Sequence, residues 1–325
     1  MVVALTGDWF QTGSNSDYDW AELAVLGDLV VVSPNHRHGV AGFLNVPFND
    51  AAKNSAVEDV ILALSWIKRN AALFDGDPDN IVALGHGSGA FLLLSVILNG
   101  RQGSGVVFKR ALLQGPPLPS MPLPRNTPDM GLVYVRNISQ SLSFRGHKPE
   151  EQFSFLKEAE IKDLLRASQE LRIPLRFVPS GFENGPKTLE RSVTGANLPA
   201  GFEVIVGSDL SEGRAFNERF ILPFALSRKS ADDAVSLFET VCVFVKEAEC
   251  SFDRRNSAGV DWLKTLPKGE FLEHLALFWT TCASVAIADA IAGTKARVHH
   301  YVSEGSRLLE SYLSPDAIAE FLASG

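Results

Sequence analysis

Three glycines at alternate positions, Gly85, Gly87 and Gly89, lie in the run Leu84-Gly85-His86-Gly87-Ser88-Gly89-Ala90. This run constrains the chain more than any other. Before it, Ile81-Val82-Ala83-Leu84 has the length and apolarity of a buried strand. After it, Ser88 to Leu98 is almost wholly apolar and reads as a buried helix, ended at Asn99-Gly100. A strand that turns straight into a buried helix brings two backbones together, and only residues as small as glycine permit that approach.

The same alternation recurs along the chain. Val2 to Leu5 and Leu29 to Ser33 read as strands, the second buried on both faces. Val57, Val60, Ile61, Leu64 and Ile67 fall at helical spacing, with Ser55 and Glu58 as a capping box and an end near Ala71. Asp75 to Asn80 is a turn, and Ala111 to Gln114, Val204 to Val206 and Val298 to Val302 are further strands. Prolines 116, 117, 119, 122, 124 and 128 predict an irregular excursion. Helices are expected over 150–171, 231–249 and 270–291, with a short one from Ser314. The fold class is α/β, an open and mostly parallel sheet with helices on both faces. The length of 325 residues suits one large domain of this kind or two medium ones.

Composition then excludes several functions. Thirty Lys and Arg against thirty-eight Asp and Glu give a net charge of −8, the wrong sign for a nucleic-acid surface. No apolar run reaches the roughly 18 residues of a membrane-spanning helix. Met1 to Leu5 lacks the basic start and the length of a signal peptide. No Cys and His spacing points to a metal such as zinc. Gly85 to Gly89 has neither the Lys-Ser/Thr of a phosphate loop nor the three-glycine dinucleotide spacing, so no cofactor is expected. Compartment and oligomeric state are not legible.

The glycine-rich turn has the G-x-S-x-G layout of a nucleophile elbow, with Gly87 at the central position. Around it the chain resembles the type-B carboxylesterase/cholinesterase family of α/β-hydrolases. Thr6-Gly7-Asp8-Trp9-Phe10 stands where that family has HGGGF, and Asn35-His36-Arg37-His38-Gly39-Val40-Ala41-Gly42-Phe43-Leu44 resembles N-Y-R-x-G-x-x-G-F-L. Asp59 to Asn80, Phe108 to Gln114 and Gly207 to Gly213 carry further family patterns. The resemblance implies a single domain over 1–325, short for that family and so with terminal structure lost. The resemblance also implies an extracellular setting.

Ester hydrolysis on this fold needs a nucleophile, a base, an acid and oxyanion donors. By resemblance the nucleophile position is Gly87, which has no side chain, and the acid is Glu212. The oxyanion-hole equivalents are Gly7, Asp8 and Ser88. A carboxylate at Asp8 would oppose a developing negative charge, and Trp9 would fill acyl space. The family's base lies in a His-Gly pair after the late strand. This chain has only His274, His299 and His300 beyond Glu212, none in that place. His36 and His38 show no ligand partner, and His86 takes a glutamate position. Loss of a nucleophile alone costs on the order of 10⁶ in kcat.

The expectation is a catalytically inactive relative. Such members, including neuroligins, neurotactin-like proteins and the carboxy-terminal domain of thyroglobulin, use the hydrolase surface for protein contacts. The resemblance therefore implies a protein or ligand partner. Two alternatives stand beside it: a weak or altered esterase that uses Ser88, and a fragment without independent function. Cys282 resembles a family half-cystine whose partner is absent, and Cys242 and Cys250 are close enough in sequence for a bridge.

Overall fold

The structure, a computed structural model, describes residues 1–7, 10, 13–48, 55–98, 108–116, 128–171, 198–209, 281 and 283–303. Its centre is a six-stranded sheet in the order β2-β1-β3-β4-β5-β6, every pair parallel. The strands are β1 (Val2–Leu5), β2 (Val31–Val32), β3 (Val82–His86), β4 (Arg110–Gln114), β5 (Glu203–Asp209) and β6 (Arg297–Ser303). Parallel strands need long crossovers, and these carry the helices. They are α1 (Ala21–Gly27), α2 (Gly39–Phe43), α3 (Ser55–Asn70), α4 (Ser88–Leu98), α5 (Pro128–Ser141), α6 (Pro149–Glu158), α7 (Ile161–Glu170) and α8 (Ala283–Ala292).

The two-residue period of a strand divides the sheet's side chains between two cores. Val3, Leu5, Ala83, Ala111, Leu113, Val204 and Val206 join the larger one, which takes in Phe91 and Leu92 of α4 and Ile287 of α8. Val2, Ala4, Val82, Leu84 and Leu112 face the other side, where Trp20 and Leu23 pack. Helices therefore lie on both faces, and α4 is the most deeply placed, buried from Ser88 through Ile97.

Several expectations need correction. The run from Leu29 is not a strand buried on both faces: only Val31 and Val32 pair, at the sheet's edge and half-buried. The 150–171 helix is two helices, broken at Ala159 and Glu160, where Ala159 is extended with ψ 148°. Pro128 opens helix α5 rather than an irregular stretch, because its missing N–H is no loss at a helix start. Helices α1 and α2 carry no long apolar period and were not expected. The helices predicted over 231–249 and from Ser314, and the first part of 270–291, lie outside the described residues.

Candidate functional site

Strand order reverses at β1. The chain runs from β1 to β2 on one side, then crosses to β3 on the other. In open parallel sheets, ligand sites lie outside the carboxyl ends of the strands at such a switch point. There β1 leads into Thr6 and Gly7, and β3 leads into Gly87 and Ser88.

Gly87 has φ +55°, a backbone region that favours glycine. Its N–H donates to the Gln114 carbonyl at 2.9 Å, and its carbonyl accepts from the Phe91 N–H at 3.3 Å. A β-carbon on Gly85 would lie 2.5 Å from Ala90 Cα, and one on Gly89 would overlap the Leu5 carbonyl. Both glycines thus let α4 close onto β3 and β1.

The Ser88 N–H, an oxyanion donor by family resemblance, donates to the Gly7 carbonyl at 3.3 Å. That same oxygen stands 2.7 Å from where a β-carbon on Gly87 would sit. The Gly7 carbonyl therefore borders both the nucleophile position and the N–H that a developing oxyanion would need. Ser88 is 1% exposed, and among the described residues its hydroxyl makes no hydrogen bond, to a histidine or to any other group.

The histidines are dispersed. His86 is half-buried at the elbow, its Nδ1 3.5 Å from the Tyr18 hydroxyl, and Tyr18 stacks on Trp20. His299 meets Glu203 at 3.2 Å, beside Arg297. His300 Nε2 is 3.0 Å from Ser284 Oγ, which is fully buried and donates to Ser208 Oγ at 3.1 Å or to the Thr281 carbonyl at 2.9 Å. Burial lowers the His300 pKa, against the opposing field of Asp289.

His36 and His38 come together instead, ring centroids 4.2 Å apart. Arg37 between them points away and clamps Asp59, with Nε–Oδ2 2.8 Å and NH2–Oδ1 2.7 Å. Burial, opposed by the Arg37 and Thr6 backbone and by Asp59, lowers the His36 pKa. Burial and the neighbouring His36 take His38 to about 4. Both rings are accordingly neutral near pH 7. Their alternate spacing was the only trace of this pairing in the sequence.

Asp8, Trp9, Glu212, His274, Cys242, Cys250 and Cys282 lie outside the described residues. Among the described residues, no three of His, Cys, Asp and Glu gather as a metal site, and no helix is long and apolar enough to cross a membrane.

A family model described as the carboxylesterase family matches residues 1–281. Carboxylesterase 5A of Mus musculus is 30% identical over 184 residues, 56% of this chain and 31% of that protein. The para-nitrobenzyl esterase of Bacillus subtilis is 28% identical over 230 residues, 66% of this chain and 44% of that protein. Neuroligin-2 of Mus musculus is 35% identical over 114 residues, 35% of this chain and 13% of that protein. These matches span less than half the length of each relative. Among solved structures, a Geobacillus stearothermophilus carboxylesterase superposes with a TM-score of 0.66 at 24% identity, covering 95% of this chain and 63% of that one. A PNB esterase does so with 0.68 at 22% identity, covering 99% and 66%. That likeness, with the parallel sheet and the strand-to-helix elbow, is one of fold. Together with the match over residues 1–281, it makes this chain a member of the carboxylesterase family.

Proposed function

We propose that this chain is a carboxylesterase-fold domain that does not hydrolyse esters and acts by binding. The observation that carries the reading is the elbow itself. Gly87 offers no nucleophile, and the Gly7 carbonyl lies on the Ser88 N–H at 3.3 Å. Acyl transfer needs an activated nucleophile and donors free to face the oxyanion. The buried, unpartnered Ser88 hydroxyl weighs against that residue as a replacement. The similarity to neuroligin-2 over 114 residues is in keeping with a protein partner on the hydrolase surface. A fold of this kind hosts many functions, so binding is argued from the site and not from the architecture.

The test is fluorophosphonate labelling together with turnover of short-chain aryl esters. The expected outcome is no covalent adduct and no hydrolysis above the buffer rate. An adduct on Ser88, or turnover that disappears in Ser88→Ala, would overturn the reading in favour of an altered esterase.

A further inference from the structure

We infer that the outward face of α3, with the 3₁₀ turn that follows it over Ala71–Phe74, is a docking surface for a second copy of this chain. A surface helix ordinarily buries one apolar stripe and turns charged or polar residues to solvent. Helix α3 buries Val57, Val60, Leu64 and Ile67 in the larger core. At 3.6 residues per turn, Leu62 and Trp66 fall on the opposite side, yet both are large and apolar, Leu62 66% exposed and Trp66 48%. The turn adds Leu73 at 78% and Phe74 at 53%, with the Trp66 and Phe74 rings 6.1 Å apart. Single exposed apolar side chains are ordinary, whereas a group of four, two of them aromatic, marks an interaction surface.

The charges on this face select the occupant. Glu58 lies four residues before Leu62 and Arg69 three residues after Trp66, which puts all four on one stripe. The helix is acidic in its first turn, at Glu58, and basic in its last, at Lys68 and Arg69, and all three are exposed. The order along the stripe is therefore acidic, apolar, apolar, basic. An antiparallel copy of the same helix presents the reverse order. Glu58 of each copy then meets Arg69 of the other, and Leu62 meets Trp66 between those pairs. A parallel copy would set like charges against each other.

One two-fold axis satisfies both sets of contacts. Glu58 and Arg69 are about 16 Å apart along the helix axis, and their midpoint falls between Leu62 and Trp66. A patch that complements itself in this way is what an isologous dimer requires. The net charge of −8 on each chain opposes association, but it is screened beyond about 8 Å at physiological salt, so the local pattern prevails. The contact does not involve the elbow, so its failure would leave the reading of that site untouched.

The test is sedimentation equilibrium of the full chain over concentrations from about 1 to about 100 μM. The mass is expected to rise from 35.3 kDa toward twice that value. Trp66→Glu should weaken the dimer about thirtyfold or more, and Leu62→Asp, at a more exposed position, replaces it if that variant does not fold. Glu58→Arg and Arg69→Glu should each weaken it about fivefold, while the chain carrying both recovers the original affinity, because the pairs return with their signs exchanged. A single 35.3 kDa species throughout would overturn the inference. A dimer indifferent to these substitutions would overturn it too, by placing the interface elsewhere. Failure of the paired exchange to rescue would overturn the antiparallel arrangement.

Discussion

At Gly87 two constraints act on the same atom. The φ of +55° penalises any β-carbon, and the Gly7 carbonyl would stand 2.7 Å from it. Restoring the elbow serine therefore strains the turn without creating a base or freeing the Ser88 N–H. Gly87→Ser is expected to lose about 1–3 kcal/mol of stability by urea denaturation and to hydrolyse no aryl ester. Robust turnover by this single variant would show that the remaining machinery is intact. His38 gives a second prediction at this scale. With its folded pKa at about 4 against 6.5, the unfolded chain takes up the proton first as pH falls. Its contribution to stability is complete above pH 6.5 and is lost as pH falls from there through about 4. The urea midpoint should drop over that window, less steeply in His38→Leu. Parallel curves for the two proteins would contradict the assignment.

Elements were legible where local periodicity and burial agreed. Val57, Val60, Leu64 and Ile67 of α3 were spaced as one helical face, and that face is buried. Leu64, 2% exposed, packs in the larger core, so Leu64→Ala should cost about 2–5 kcal/mol with an unchanged urea m-value. A loss below about 1 kcal/mol would mean that the face is not packed. Where elements were misread, the deciding contacts lie far off in sequence. No glycine or proline marks the break at Ala159 and Glu160, and either residue could continue a helix. The break lets both α6 and α7 reach α5, and lets α7 reach α2. The apolar run at Leu29 could not announce that β2 would be an edge strand, because pairing partners set that position and local sequence does not.

For the whole molecule, the parallel sheet and its reversal at β1 place the elbow, the Gly7 carbonyl and the histidine pair at one switch point. The larger core runs from Met1 through Ile291, drawing on both ends of the described sheet. The chain should therefore unfold in one cooperative thermal transition, with near- and far-ultraviolet circular dichroism coinciding. Absence of a cooperative transition would favour a fragment without independent function. The sequence by itself determined the family, the sheet class and the missing side chain at Gly87, because these depend on residue identity and short-range period. Only the tertiary structure decided that the Gly7 carbonyl faces the Ser88 N–H, that the Ser88 hydroxyl is buried, and that the His36 and His38 rings meet. Those facts depend on how close β1, α4 and the loop before α2 approach one another, a distance set by packing across the sheet that no local pattern encodes.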